Sequence, residues 1–242
     1  SQRYNNVWLN GGAVPSSEPD SRAFSFDIIP SSQIDNMVIV KSPAAEYPAD
    51  FTGGFIQVNT KDIPPTNRFS VSAGGNWNSE AAFKTLKYAD MSNKYVNDGP
   101  VALMGSGLNN NWRVKTQQPV GDLKLGADWS CRWMLNGMSM GMVGAVNYTN
   151  EYRAYKDMTN NLYGVYDNAN DRSNYLRRST DNQYNNNSRL GAMLNIALLS
   201  KSGNNKYELK NIFNNIVNRR YTDRVGVNAQ SDNEIGAEYY YR

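Results

Sequence analysis

Beyond Asn67, apolar and polar residues alternate with a period of two, a pattern that permits strands with two unlike faces and little else. In the first run Phe69, Val71, Ala73, Gly75 and Trp77 fall on one face, against Arg68, Ser70, Ser72, Gly74 and Asn76. The second, Asp122 to Trp133, sets Leu123, Leu125, Ala127, Trp129, Cys131 and Trp133 against Lys124, Gly126, Asp128, Ser130 and Arg132. A third, Met138 to Tyr152, opposes Met138, Met140, Met142, Gly144, Val146, Tyr148 and Tyr152 to Ser139, Asn147, Thr149, Glu151 and Arg153. Leu190, Ala192, Leu194, Ile196 and Leu198 mark the fourth. Tyr207, Leu209, Phe213 and Val217 mark the fifth, Lys206 to Asn218, which Asn211 and Asn215 interrupt, and Ile235, Ala237, Tyr239 and Tyr241 open a sixth.

Any half-buried antiparallel sheet alternates in this way, so a soluble sandwich is a real competitor. The connections discriminate. They run long, short, long, short, long: Asn78 to Gly121, Met134 to Gly137, Ala154 to Ser188, Ser200 to Asn205, Arg219 to Glu234. Outer-membrane barrels join strands of roughly ten residues by short turns on one side and long loops on the other. One face is then lipid-like and the other charged, with Cys131 a small apolar filler of the outer face. Trp77, Trp129, Trp133, Tyr148 and Tyr152 are expected near strand ends, either as an interfacial girdle or as ordinary core aromatics.

The negative mean hydropathy does not contradict this, because only alternate residues of a membrane strand face lipid. No run of about eighteen apolar residues is present, so a transmembrane helix is not expected. With one cysteine, neither an internal disulfide nor a zinc cluster of the usual spacing is available. The absence of histidine removes the commonest general base, and no phosphate loop or nucleophile elbow stands in for it, so neither an enzyme nor a cofactor is expected. A formal charge of +3 with interspersed signs gives no footprint for nucleic acid.

Ahead of the alternating region lies a denser unit. Tyr4 to Leu9 is extended and Asn10-Gly11-Gly12 is a turn signal; the loop Ala13 to Arg22 is rich in Pro, Ser and acids. Phe24 to Pro64 then reads as a stop at Pro30, a helical turn capped by Ser32 with Asp35 three residues on, the apolar strand Met37 to Val40, a Gly53-Gly54 break, and a strand from Phe55 to Thr60.

Ile34-Asp-Asn-Met-Val-Ile-Val-Lys41, Ser42-Pro-Ala44, Tyr47 and Gly53-Gly-Phe-Ile-Gln-Val-Asn-Thr-Lys61 together resemble the second half of the plug domain of TonB-dependent outer-membrane receptors. Asn6-Val-Trp-Leu-Asn-Gly11 and Arg22-Ala-Phe-Ser-Phe-Asp27 fit the same module, and Asn109-Asn110-Asn111-Trp112 resembles a barrel segment of that family. One departure is Lys41-Ser42-Pro43 in place of the family's Arg-Gly-Pro, which keeps the cation and the proline but not the glycine turn.

The resemblance implies a mainly β chain: residues 1–66 the C-terminal part of a plug, and 67–242 the first strands and outer loops of an incomplete transmembrane barrel. It implies an outer-membrane location and uptake of an external nutrient, siderophore or oligosaccharide, driven by the inner-membrane TonB complex, whose contact segment is expected outside this stretch. A surface lipoprotein is a further potential partner. The family's plug loop faces the ligand side, which makes Glu18, Asp20 and Arg22 binding candidates; a solvated polar loop is the competing reading. Lys41 is either a plug-to-wall ion pair or a surface lysine. The loop residues Tyr152 to Arg178 and Tyr184-Asn-Asn-Asn187 suit sugar recognition and also suit any hydrated loop. A soluble or surface-attached β-rich carbohydrate module is the alternative function.

Overall fold

The computed structural model describes residues 6–14, 29, 33–42, 44–45, 47, 54–89, 113–228, 233–234 and 237–241. Every regular element among them is a strand: β1 (Asn6–Leu9), β2 (Gly12–Ala13), β3 (Ile34–Val40), β4 (Phe55–Thr60), β5 (Arg68–Gly74), β6 (Leu86–Ala89), β7 (Val114–Gln117), β8 (Leu123–Leu135), β9 (Met138–Asp167), β10 (Arg172–Leu199), β11 (Lys206–Asn228), β12 (Asn233–Glu234) and β13 (Ala237–Tyr241). No helix among the described residues is long and apolar enough to cross a membrane.

A four-stranded sheet has the order β2-β1-β4-β3, with β1 parallel to β4 and the other pairs antiparallel. Asn10 and Gly11 take positive φ of 53° and 82°, the geometry a tight β1–β2 hairpin requires of its two turn residues. Central β4 carries the core. Phe55 and Val58 are fully buried, each worth ~1.5–3 kcal/mol of transfer free energy, with Trp8 edge-on to the Phe55 ring at 5.3 Å. The second sheet has the order β12-β11-β10-β9-β8-β5, with β13 also paired to β11, and among the described residues it is not closed into a barrel. A two-stranded sheet, β6 with β7, stands in the connection between β5 and β8.

The expected strands are present where described, although the first ends at Gly74 and not at Trp77, and several run further than their alternation suggests. Residues 154–188, expected as a long loop, are strand up to Asp167 and again from Arg172. The loop itself is only 168–171, closed by the Asp167 carboxylate, which accepts the Ala169 and Asn170 amides at 3.1 and 3.3 Å. Likewise β11 continues through 219–228, and the connection 78–121 contains the β6–β7 hairpin. Backbone pairing extends these arms even though their side chains no longer alternate. The short turns are as expected: Asn136-Gly137, at φ 50° and 82°, and the Ser200–Asn205 turn with its backbone bond of 2.9 Å. The expected helical turn capped by Ser32 falls largely outside the described residues; of it, Gln33 has 3-10 geometry and Asp35 already lies within β3. Tyr148 and Tyr152 lie well inside β9 rather than near a strand end, and Trp129 is not at one either. It pairs with Phe69 midway along β8, and its ring fills the space a side chain on Gly144 would occupy, within 2.3 Å of where a Cβ would stand.

By contacts the chain divides into two units: one of Ser1–Gly74, Leu123–Thr149 and Ser188–Ile216, the other of Gly75–Asp122, Asn150–Asn187 and Val217–Arg242. Within the first unit, the strand β4 and the segment after it pack on the small and polar face of the large sheet. Asn195, 1% exposed, donates to Thr60 Oγ1 at 2.6 Å, and Thr60 donates to Asn10 Oδ1 at 2.9 Å. Gln33 donates to Asp128 at 3.1 Å, Ser130 to the Thr66 carbonyl at 3.3 Å, and Lys206 and Lys210 reach Asp62 at 2.6 and 2.7 Å. The opposite face is bare: Phe69 is 72% exposed, Val71 68%, Leu125 45% and Tyr207 65%. Burial is therefore inverted relative to a soluble sheet, which covers its apolar face.

Gly141 measures how tightly the connecting segment is seated, since a Cβ there would lie 2.7 Å from Ile63 Cα and 2.8 Å from the Asp62 carbonyl. Gly141→Val should lower stability by ~1–3 kcal/mol and open tryptic cleavage after Lys61, because backbone cannot yield as a side chain can. Gly74→Ala, with open space around it, should change neither; thermal midpoints and limited proteolysis read both.

Candidate functional site

The second unit carries charge on its strand arms, where Asp122, Asp181 and Asp223 are each paired with a cation. Asp122, next to the start of β8, is buried; it accepts the Tyr152 amide at 2.8 Å and the Arg153 guanidinium at 2.7 Å. That hydrogen bond raises Arg153 above its ordinary value, against the opposing effect of burial. On β10 the buried Asp181 is held by a fork from β11. Arg224 Nε and Nη2 donate to its two oxygens at 2.9 Å each, and Asn160 of β9 adds a bond of 2.8 Å. The Arg224 bonds keep the Asp181 carboxyl below its usual range despite burial. Arg177 donates to Asn160 at 2.9 Å, and Ser179 donates to the Asn160 carbonyl at 2.7 Å, so the network ties three strands.

A third pair anchors the β6–β7 hairpin: Lys87 reaches Asp223 at 2.6 Å, and that bond raises the lysine. Tyr221 beside it is buried and stacks on Tyr184 at 6.5 Å; burial, then its hydrogen bond to Asp223, push its hydroxyl up to about 12. Around them Ala81, Leu86 and Ala154 form a small core against Tyr152 and Tyr184. In the first unit, burial pushes the Asp62 carboxyl up, but the lysine hydrogen bonds outweigh it and hold it below its ordinary value.

Asp62 and Asp181 are poorly suited to general-acid work, because a carboxylate held below its ordinary value has no proton to give at neutral pH. Among the described residues no group of three His, Cys, Asp or Glu side chains could hold a metal ion. Cys131 is a free, partly buried thiol. The surface suited to binding is the β9–β10 hairpin. There Tyr163 and Tyr175 are exposed with ring centroids 4.9 Å apart, and the Arg178 guanidinium lies 5.2 Å from the Tyr175 ring centre.

Among the residues singled out from the sequence, Glu18, Asp20, Arg22 and the segment Asn109 to Trp112 lie outside the described residues. Lys41 directly follows β3, is exposed, and forms no ion pair with a described carboxylate. Within residues 152–178, Tyr155, Tyr163, Tyr166 and Tyr175 are exposed, whereas in 184–187 Tyr184 packs against the small core and Asn186 is buried and donates to Asn150. The Asp181–Arg224 fork was not foreseeable from spacing, since its partners are 43 residues apart and on arms that the sequence pattern assigns to loops. Comparison with protein-family models, curated proteins and solved structures gives no match.

The depressed Asp181 value gives a pH signature of definite sign. The pair's contribution should be complete above the unfolded carboxylate value of ~3.9 and should disappear as pH falls through the lower folded value. Asp181→Asn should lower the thermal midpoint at pH 7 and flatten its fall between pH 4 and pH 2. Equal acid sensitivity of both proteins would show that the fork contributes nothing.

Proposed function

We propose that the chain supplies a plug segment and the first barrel strands of a TonB-dependent receptor of the Gram-negative outer membrane, which binds an external nutrient and imports it with energy transmitted by the TonB complex. The observation that supports this best is the inverted burial. A sheet that hydrogen-bonds its polar face to a small mixed sheet, and leaves Phe69, Val71, Leu123, Leu125, Leu209 and Phe213 bare, suits hydrocarbon on that side and a plug on the other. Length agrees with it. The first-unit stretches 138–149, 188–199 and 206–216 are each close to the ~9–11 residues a tilted strand needs to cross the hydrocarbon.

Hydrocarbon cannot satisfy an open sheet edge, and each unpaired backbone group there costs several kcal/mol. The outer edge of β5 would therefore be paired by further strands of the closed barrel. In this reading the exposed hairpin of β9 and β10 faces outward with the ligand, and Asn136-Gly137 is a periplasmic turn. No covalent chemistry is required. A lipoprotein lid remains part of the proposal only through the family resemblance.

The chain should need detergent: in plain buffer it should aggregate, and in micelles it should be a dispersed β-rich species. Leu125→Arg should weaken retention in the membrane fraction far more than Lys124→Leu, because a cation at the bilayer midplane costs ~2–4 kcal/mol and a lumen change is tolerated. A monomer that melts cooperatively without detergent would favour the soluble carbohydrate module instead.

Sidedness is tested in a Cys131→Ser background expressed in the outer membrane. An impermeant maleimide should label a cysteine at Ala169 on intact cells and spare one at Asn136. Equal labelling would overturn the orientation.

A further inference from the structure

The hairpin arms near the 168–171 turn carry large rings that the packing does not use. Tyr163 is 54% exposed and Tyr175 40%, in a tilted pair with an interplanar angle of 41°. Burying such rings is normally favourable, and two left open side by side form a sheet-mounted platform rather than an isolated surface residue. The Arg178 guanidinium rests against the Tyr175 ring, which fixes it at little further cost in side-chain entropy. Among the described residues no carboxylate pairs with Arg178, whereas Arg153 and Arg224 are each matched to an aspartate. Tyr166, also exposed, donates its hydroxyl to Asp171 across the turn, which holds the hairpin tip in one shape.

We propose that Tyr163, Tyr175 and Arg178 form a binding site for an acidic oligosaccharide, one whose pyranose rings carry carboxylates. The apolar face of a pyranose stacks on a tyrosine ring, and the carboxylate at its edge meets the free guanidinium with a charge-assisted hydrogen bond. A neutral sugar would use the rings but leave the cation unanswered. An acidic peptide would use the cation but has no rigid C–H face for a paired-ring platform. The site names the ligand class for the receptor reading, and its part in uptake rests on that reading; the binding step itself does not need the membrane.

The test is titration of the whole chain, in micelles or in buffer as it purifies, with oligogalacturonate and oligomannuronate, their methyl esters, and polyglutamate. At least one uronate should bind, with its ester about tenfold weaker. Tyr163→Ala and Tyr175→Ala should each weaken it by about tenfold while Tyr175→Phe keeps it, and Arg178→Gln should abolish the preference for acid over ester. Far-UV circular dichroism confirms that each variant retains its strands. The proposal is overturned if neither uronate binds, if the alanine variants bind as tightly as the parent, or if polyglutamate binds equally well. Solubility in plain buffer with intact uronate binding would remove the membrane reading and leave this site standing.

Discussion

The docking of the small mixed sheet on the polar face of the large one governs the rest of the first unit. It is a set of directed polar contacts, with Asn195, Thr60 and Asn10 in series, Gln33 on Asp128, and two lysines on Asp62, rather than an apolar seam. Such contacts are strong where water is excluded and expensive to leave half made, so they specify one position of the segment 60–66. Apolar packing is local to each layer: Leu9, Ile29 and Val58 within the small sheet, and Val143, Ala145 and Met193 on the large one. Small residues make the approach possible, Gly141 above all, where the connecting backbone passes too close for a side chain.

Once the polar face is covered, the apolar face has no partner among the described residues of the unit. For a water-soluble protein this would be an aggregation hazard, since the exposed rows of Phe, Val, Leu and Tyr adjoin an open strand edge. In a bilayer the same face is the favourable one, and the edge becomes the place where further strands must pair. The receptor proposal thus rests on which face is covered, more than on how hydrophobic the chain is.

The second unit follows a different physical rule. Its long arms contain few apolar residues able to form a core, and their order comes from backbone pairing together with buried ion pairs that join neighbouring arms. Asp181 with Arg224, and Asp122 with Arg153, are nearly or fully removed from water on the carboxylate side, where losing one partner is costly. Arms held in this way can leave their tyrosines outside, because those rings are not needed to stabilise them.

Alternation in 68–77, 122–133 and 190–198 determined the strands and their two faces directly from sequence, because a period of two follows from the geometry of a strand and nothing else. Asn10-Gly11 and Asn136-Gly137 likewise determined their own hairpins, since few other residue pairs tolerate positive φ twice in succession. Which face is covered was decided only by tertiary structure: the alternation is the same whichever side meets a partner, and Thr60, Asp62 and Ile63 lying on the polar side show which face the small sheet covers. The arms of 154–167 and 172–187 were also invisible to pattern, because strand pairing there is a property of two backbones side by side, stabilised by aspartates and arginines whose partners stand tens of residues away.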